Sequence, residues 1–432
     1  MTEEKSIEFK KSYVWIFSIN YFVQGASNSM SAVIIPIYLL LLLANAGKTV
    51  TGTEFAFLAS IIQIPWSIKL IYGIISDKYG SKRYGRRKPY VIGPVIMSGL
   101  FWFLIPFVIT PENAITAMIL IGLCISTGLA FGDTSIDGMI MDICPKEQLG
   151  RTQGFCWSLR SIGRIAGGPI FAYLIVIVQT ITAETIFIIV GIATIASSFL
   201  TLIVKEAEYI PEVNLKLHII GMFNKRKDWI TYFYSMLSWL IEGAAGMFLS
   251  FYILIKLNLI ELKGTTLSLE TTDLNIYIYQ ANIALLFSIG VVIGAIIGGQ
   301  IADLISRKKG MYISVIIISI ALLLMVLDIS VIFLIIFAIL VLAGLGMRHS
   351  SYSAVIGEMA KKHPEMDSTY FSLCNSFANF GIAMGLIITG ILFDFVGGSF
   401  AFIFIVSAFV QIFCLIPFLL LDKQDYEINL TK

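Results

Sequence analysis

Seven charged side chains stand deep inside long apolar stretches of this sequence, where an ion is costly to bury. They are Lys69, Asp133, Asp137, Arg160, Arg164, Glu242 and Arg348. A charge at the centre of a membrane helix costs at least about 2.5 kcal/mol on insertion scales, so each of these side chains must face a cavity or a partner. Cations in such a cavity can bind an anionic solute, and a carboxyl group there can take up and release a proton.

Two pairs of opposite charges stand at matching depths of one predicted helical hairpin. In antiparallel helices, residues at equal depth have a constant sum of residue numbers, and this holds for Asp133 with Arg160 and for Asp142 with Arg151. The second pair is expected as an ion pair at the rim of the hairpin. For the first pair two interpretations stay open: an ion pair between helices, or a role in binding or coupling.

A stripe of amide side chains runs along the first apolar stretch. Asn20, Gln24 and Asn28 follow one another at four-residue spacing, which places them on one face of a helix. Such amides either hydrogen-bond a solute or join neighbouring helices. We favour the first interpretation, in which the stripe lines a cavity.

The composition excludes a soluble protein. Of 432 residues, 57% are hydrophobic and 13% are charged, and the mean hydropathy is +0.88, whereas a soluble domain carries about 25% charged residues. The five cysteines show no CxxC spacing and are expected as buried thiols rather than as a disulfide frame or metal site. The chain is therefore predicted to be an all-α polytopic membrane protein.

Twelve apolar runs are long enough to cross a bilayer, which takes about 20 residues. They lie near 13–43, 54–75, 90–110, 114–143, 151–179, 184–204, 229–260, 274–304, 310–327, 331–359, 368–396 and 399–421. Lys and Arg number 23 in the segments on one side of these runs and two on the other, and such an excess marks the cytosolic side. We predict twelve transmembrane helices in the plasma membrane, with both termini in the cytosol.

The two halves of the chain repeat each other. "YFVQGASNSM" in helix 1 matches "WLIEGAAGMF" in helix 7, and two further stretches match in the same order. The aligned residues are Gln24 with Glu242, Asp77 with Asp303, and Asp142 with Glu358, and His349 takes the position of Asp133. We predict an N-terminal six-helix bundle (1–204), a cytosolic linker (205–228) and a C-terminal six-helix bundle (229–432). Two such bundles are the usual frame for alternating access around a site at the membrane midplane.

The turn after helix 2 carries the pattern Gly-x-x-x-Asp with trailing arginines, and the second half repeats it in weaker form. This motif resembles the signature loop of the major facilitator superfamily. "YFVQG", "PWSIKLIYGIISD" and "GRRKPY" resemble its folate–biopterin transporter branch, and muropeptide permeases and acetyl-CoA transporters share a looser version. The resemblance implies that helices 1, 4, 7 and 10 line a central cavity while helices 3, 6, 9 and 12 face lipid.

The basic hairpin between helices 2 and 3 is predicted to hold a cytosolic gate. Gly73 permits close approach of helix 2 to a neighbour. Asp77 ends that helix, where a carboxylate is unfavourable beside the helix dipole and should reach a cation, and arginines offer two parallel donors to a carboxylate. The resemblance implies a latch formed by Gly73, Asp77, Arg86, Arg87, Asp142 and Arg151, with Asp303 and Arg307 as its weaker second copy.

These features together predict a secondary active transporter of a small organic anion, folate-like or pterin-like as the resemblance implies. The residues expected to bind it are Asn20, Gln24, Asn28, Lys69, Asp133, Asp137, Arg160, Arg164 and Arg348. Glu242, and after it Asp133, is predicted to carry the coupling proton, because Glu242 is acidic where its repeat partner Gln24 is neutral. Two alternatives stay open: a muropeptide or sugar:cation symporter, and a non-transporting assembly or sensor protein on the same scaffold.

No enzymatic function is predicted. The three histidines, His218, His349 and His363, form no HxxxH or HExxH pair, and the sequence has neither a phosphate-binding loop nor a serine elbow. We therefore expect no catalytic residues, no metal ion, no cofactor and no nucleic acid. The expected partners are the solute, a coupling proton and the lipid bilayer, with the chain acting as a monomer.

Overall fold

Long helices make up most of the chain. The computed structural model describes residues 9–79, 85–178, 180–206, 221–269, 272–363 and 367–427. Most of the predicted linker, residues 207–220, lies outside the described residues. Each predicted apolar run coincides with one helix or with a series of helical pieces.

The described part of the first half forms six helices. They are α1 (Lys11–Asn45), α2 (Gly52–Ser67 and Lys69–Lys78), α3 (Lys88–Val108), α4 (Ala114–Ile143), α5 (Lys146–Ile165, a π-helical turn Ala166–Ile170, then Phe171–Ile177) and α6 (Ala183–Leu200, then a 3₁₀ turn Thr201–Ile203). The break in α2 is the single residue Ile68, with φ −106° and ψ 21°. The π-helical turn of α5 contains Pro169, which has no N–H to give to a regular helix.

Within the described residues, the second half contains these long helices, followed by one short one. They are α7 (Arg226–Ser238 and Glu242–Lys256), α8 (Ile276–Leu304), α9 (Arg307–Leu324), α10 (Val331–Ala360), α11 (Asp367–Phe395), α12 (Phe400–Val410, a 3₁₀ turn Gln411–Cys414, then Leu415–Leu420) and α13 (Lys423–Tyr426). Side-chain oxygens cap two of the starts. The Ser306 hydroxyl accepts from the Lys309 amide at the start of α9, and the Ser399 hydroxyl accepts from the Phe402 amide at the start of α12.

The twelve predicted spans agree with the structure. Eleven helices of the described chain have the length and apolarity to cross a membrane. The remaining run, predicted at 310–327, is α9, whose 18 residues begin with Arg307, Lys308 and Lys309. These cations lower its apolarity without shortening it. The all-α polytopic fold is therefore confirmed.

One small β-sheet lies between the helices. Strands β1 (Val50–Thr51), β2 (Ile260–Lys263) and β3 (Thr266–Leu269) form an antiparallel sheet in the order β1-β3-β2. Gly264, with φ +61°, makes the turn between β2 and β3. The apolar run predicted to end at 260 is helical only to Lys256, because its last residue already belongs to β2.

The chain packs as two compact units. The first comprises residues 1–39 and 68–213, and the second comprises 40–67 and 214–432. The boundary falls at the break of α2, so the piece Gly52–Ser67 belongs to the second unit although it stands in the first half of the sequence. There it packs along α11, with the Ser60 hydroxyl donating to the Ala383 carbonyl at 2.8 Å.

Close packing of α1 against α5 positions the charged residues of the first unit. A Cβ atom on Gly25 would lie 2.1 Å from the Arg160 carbonyl oxygen, and one on Gly163 would lie 2.0 Å from that of Phe22. Only glycine fits at these two contacts, so the two backbones meet directly. Arg160 is thereby held beside α1.

Candidate functional site

A buried cluster of charges joins three helices of the first unit. Asp133 on α4 is 1% exposed. Lys69 on α2 donates to Asp133 Oδ2, and Arg160 Nη1 on α5 lies 3.4 Å from Asp133 Oδ1. The geometry thus joins Asp133 to Arg160 across the hairpin and adds Lys69, for which the sequence suggested no partner. One carboxylate thus accepts from two cations and neutralises one unit of their charge.

Asp137 and two aromatic rings complete this cluster. The Tyr21 hydroxyl on α1 donates to Asp137 Oδ1. The Arg160 guanidinium lies 4.9 Å from the Trp157 ring and 5.8 Å from the Tyr21 ring, both within cation–π range. The cluster therefore combines two cations with two carboxyl groups and is held by side chains of α1, α2, α4 and α5.

One face of α5 carries several exposed polar residues, together with the exposed side chains of Ile162 and Ile165. Its polar members, with one glycine, are Arg151, Gly154, Ser158, Ser161 and Arg164. Arg164 stands at the midpoint of the span Arg151–Ile177, about 20 Å from Arg151 along a helix that rises 1.5 Å per residue. A guanidinium at that depth must face a partner or a water-filled cavity rather than hydrocarbon, and we expect the exposed part of this face of α5 to border water.

The predicted amide stripe of α1 divides into different environments. Asn20 Nδ2 donates to the Ile16 carbonyl at 2.9 Å and to the Ser197 carbonyl of α6 at 3.0 Å, which is the helix-joining interpretation. Gln24 is 2% exposed, and neither of its amide atoms has a hydrogen-bond partner within the described residues. Asn28 is half-buried. Because an unpaired buried amide is costly, Gln24 is the stripe residue with bonding capacity left.

Glu242 pairs with a histidine from another helix of the second unit. Glu242 Oε2 lies 2.6 Å from His349 Nε2 on α10, and both side chains are about one quarter exposed, at 26% and 25%. The His349 ring stacks on Trp239 with centroids 4.3 Å apart and planes 7° from parallel. Glu242 and His349 occupy the repeat positions of Gln24 and Asp133. In the second unit these two positions are thus in contact, as an acid and an imidazole.

Arg348 points away from that pair. Its guanidinium is 1% exposed, and Nη1 donates to Gln411 Oε1 of α12 at 3.3 Å. Gln411 Nε2 in turn donates to the Val315 carbonyl of α9 at 2.7 Å. Consecutive residues on a helix lie about 100° apart, which is why Arg348 and His349 reach different neighbours. A role for Arg348 in solute binding stays a prediction.

Two arginines of the predicted latch hold two carboxylates. Asp77 Oδ1 lies 2.8 Å from Arg86 Nη2 and 2.7 Å from Arg87 Nη2, while Asp142 Oδ2 lies 2.6 Å from Arg87 Nε. The expected pairing of Asp142 with Arg151 is wrong within the described chain, because Arg151 is exposed and makes no ion pair with Asp142 there. Equal depth on a hairpin predicts contacts between its two helices only, whereas arginines of the loop before α3 reach the same rim.

The packing around Gly73 does not require a glycine in this structure. A Cβ atom there would lie 3.7 Å from the Thr134 side chain, which is an ordinary contact. The close approach predicted at Gly73 is therefore absent from the described packing, and a role of this residue in gating stays a prediction.

Sequence reasoning missed Glu206, which closes the latch network. Its carboxylate accepts from the backbone amides of Arg87 and Lys88, each at 2.9 Å, and so caps the start of α3. Gly85, with φ +96°, makes room for it, since a Cβ there would lie 2.6 Å from Glu206 Oε2. Burial alone would lower the pKa of Arg87, but its bond to Asp142 and the charges of Asp77 and Glu206 raise it.

The second unit repeats part of this network. Glu427 accepts from the backbone amides of Arg307 at 2.8 Å and Lys308 at 3.3 Å, as Glu206 does for α3. Arg307 Nη2 lies 3.1 Å from Glu358 Oε1, the counterpart of Asp142. Asp303 is exposed and takes no part in the described ion pairs. Each glutamate follows the last helix of its half, and this repeated spacing is the signal that could have revealed both.

Comparison with known proteins identifies the family. The model of the Major Facilitator Superfamily matches residues 17–269 and 229–431. A protein of Arabidopsis thaliana named "Probable folate-biopterin transporter 4" is 27% identical over 187 residues, which cover 42% of this chain and 35% of that protein. The match thus spans about a third of that relative.

Solved structures share the fold at low sequence identity. The nucleoside transporter NupG has a TM-score of 0.68 at 14% identity and covers 94% of this chain and 98% of its own. A bacterial homolog to the human lysosomal transporter Spinster has a TM-score of 0.57 at 13% identity, with coverage of 95% and 94%. Since the family model matches both halves, the chain belongs to the Major Facilitator Superfamily.

Proposed function

We propose that this chain is a secondary active transporter, which moves a small organic anion across a membrane by alternating access and couples that movement to protons. The observation that carries the proposal is the exposed polar face of α5 beside the buried cluster of Lys69, Asp133 and Arg160. Water at the midpoint of a span gives a polar solute a route that lipid denies it. The transporters that share this fold support the same interpretation.

The sign of the solute's charge follows from the balance of side chains at this site. Lys69, Arg160 and Arg164 outnumber the two carboxyl groups of Asp133 and Asp137, and this number of cations favours an anionic solute. The relative named as a folate–biopterin transporter supports a folate-like or pterin-like anion. Gln24, whose amide is unpaired, is the proposed neutral hydrogen-bonding group.

The chain is an integral membrane protein of many spans. The proposed orientation puts both termini in the cytosol of a monomer in the plasma membrane, because 23 of the lysines and arginines lie in segments on that side and two on the other. Cysteine labelling from outside intact cells tests this orientation. Reaction at position 48, between α1 and α2, supports it, and reaction at position 423 contradicts it.

Asp77→Asn is expected to slow transport turnover roughly tenfold without loss of membrane insertion, because it weakens charge-assisted bonds worth about 1.5–3 kcal/mol. The latch proposal further predicts a shift toward the inward-open state. Turnover and cysteine accessibility in proteoliposomes measure both effects. Asp303→Asn is the matched comparison and should have a smaller effect, since Asp303 is exposed. Normal kinetics in Asp77→Asn would refute the latch.

Uptake by purified protein in liposomes tests the proposed function. The labelled solutes are folate, pterin-6-carboxylate, a muropeptide and glucose, each offered with and without an imposed pH gradient. We expect one of the two pterin anions to accumulate only when the gradient is present. Preferred uptake of the muropeptide or glucose would overturn the proposed solute class, and absence of uptake for all four would overturn the proposal as stated.

A further inference from the structure

Trp157 is an exposed aromatic side chain in polar surroundings. It is 53% exposed on α5, and its neighbours one helical turn away are Gly154, Arg160 and Ser161. A lipid-facing tryptophan packs among apolar side chains or marks the membrane interface. The exposed ring of Trp157 instead stands among glycine, hydroxyl and guanidinium groups. It therefore borders the same water as the polar face of α5.

Contacts on one side hold this ring in place. The Arg160 guanidinium lies 4.9 Å from it, and the Tyr21 ring meets it edge-on, with centroids 6.1 Å apart and planes at 66°. Arg160 is bonded to Asp133, and Tyr21 to Asp137. The ring is thus fixed by the charged cluster while about half of its surface stays open. A fixed, open aromatic surface can stack with a planar ring at little entropic cost.

We propose that Trp157 is the stacking surface for an aromatic ring of the transported solute, with Arg164 and Arg160 beside it for the negative group. The solute class is then a planar aromatic ring that carries a carboxylate. This inference rests on the proposed function and narrows it. A sugar can also lie against tryptophan, but a neutral sugar offers nothing to the two guanidinium groups, so the aromatic anion fits the site better.

Calorimetric binding to the protein in nanodiscs tests this inference, with pterin-6-carboxylate, glutarate and glucose as probes. Trp157→Leu is expected to bind pterin-6-carboxylate at least about tenfold more weakly than the unaltered protein, as stacking losses on aromatic residues suggest. Trp157→Phe, which keeps a ring, should recover most of the affinity. Trp15→Leu is the matched control, because Trp15 is 57% exposed on α1 and packs against Phe155.

The probes separate a stacking role from a structural one. Glutarate has carboxylates but no ring, so its weak binding should not change in Trp157→Leu. Unchanged binding of pterin-6-carboxylate by that variant, or equal losses for both anions, would overturn the inference, as would stronger binding of glucose than of either anion. Uptake by the unaltered protein is measured separately. If the unaltered protein takes up solute but Trp157→Leu binds pterin-6-carboxylate normally, this inference alone is wrong. If Trp157→Leu loses binding of pterin-6-carboxylate but not of glutarate, and the unaltered protein shows no uptake, the proposed function is wrong.

Discussion

Replacing Glu242 by glutamine is expected to abolish accumulation of solute driven by a pH gradient while sparing exchange of solute. A coupled proton needs a carboxyl group that alternates between its charged and neutral forms, and glutamine cannot ionise. For one proton per solute, a gradient of one pH unit supports about tenfold accumulation, because one pH unit corresponds to about 1.4 kcal/mol. The variant should show no accumulation above equilibrium.

The surroundings of Glu242 explain why this residue suits the task. It begins the second piece of α7, where a negative charge is favourable beside the helix N-terminus. His349 Nε2 lies 2.6 Å away, and both side chains keep about a quarter of their surface exposed. A helix N-terminus and an imidazole nitrogen therefore both lie beside this carboxyl group, which keeps part of its surface exposed.

Proteoliposomes with an imposed pH gradient measure the effect of Glu242→Gln. Glu261→Gln is the matched control, since Glu261 lies on β2 with its side chain 40% exposed and beside Lys263. The control should accumulate solute like the unaltered protein. Accumulation with an unchanged pH dependence in Glu242→Gln would show that Glu242 is not the carrier and would pass the proposed role to Asp133 or Asp137.

Cross-linking β1 to β3 is expected to stop transport. In the structure Thr51 pairs with Thr266 across the antiparallel strands, so cysteines there lie within the range of a disulfide. The alternating access proposed above would require the piece Gly52–Ser67 to leave α11, and β1 leads directly into this piece. Oxidation of Thr51→Cys/Thr266→Cys should therefore reduce uptake at least about tenfold, with recovery after reduction.

The proposed movement would have to break the hydrogen bonds between this piece and α11. The Thr53 hydroxyl donates to the Gly390 carbonyl at 2.5 Å, and Gln63 Nε2 donates to Asn379 Oδ1 at 3.0 Å. These are side-chain bonds between helices, and they can break and re-form without loss of either helix. A covalent link at β1 would hold the whole piece in place.

A second pair of cysteines on the same sheet provides the control. Glu261 pairs with Ser268 across β2 and β3, so a disulfide there stays within one hairpin. Oxidised Glu261→Cys/Ser268→Cys should transport normally. Full activity of the Thr51→Cys/Thr266→Cys variant after complete oxidation would contradict the proposed movement.

The sequence predicted the features that depend on position along a regular helix. The lengths of the apolar runs predicted the spans, and equal depth along a hairpin placed Asp133 beside Arg160. Both predictions follow from the helical rise of about 1.5 Å per residue. The repeat pointed to Glu242 and to the position of His349. Their meeting at 2.6 Å could not be predicted, since it depends on the break of α7 between Ser238 and Glu242.

Features made by loops and chain ends escaped the sequence analysis. Arg87 reaches Asp142 because the hairpin before α3 folds back onto the rim, and Glu206 caps α3 from beyond α6. Neither contact follows from helical periodicity, and for Glu206 the signal was its repeated position, shared with Glu427, after the last helix of each half. Lys69 remained without a predicted partner because its helix and α4 are separated in sequence by α3. Side-chain partners across three helices depend on packing angles that apolar spacing does not encode.

Counterflow in liposomes is the most direct test of the central claim that this chain is a carrier. Vesicles that contain the protein are loaded with unlabelled solute and diluted into a trace of the same solute with a label, in the presence of a protonophore. An alternating-access carrier exchanges the two populations, so labelled solute should rise transiently above its equilibrium level inside. Labelled solute that only approaches equilibrium, at a rate independent of the internal load, would contradict the claim.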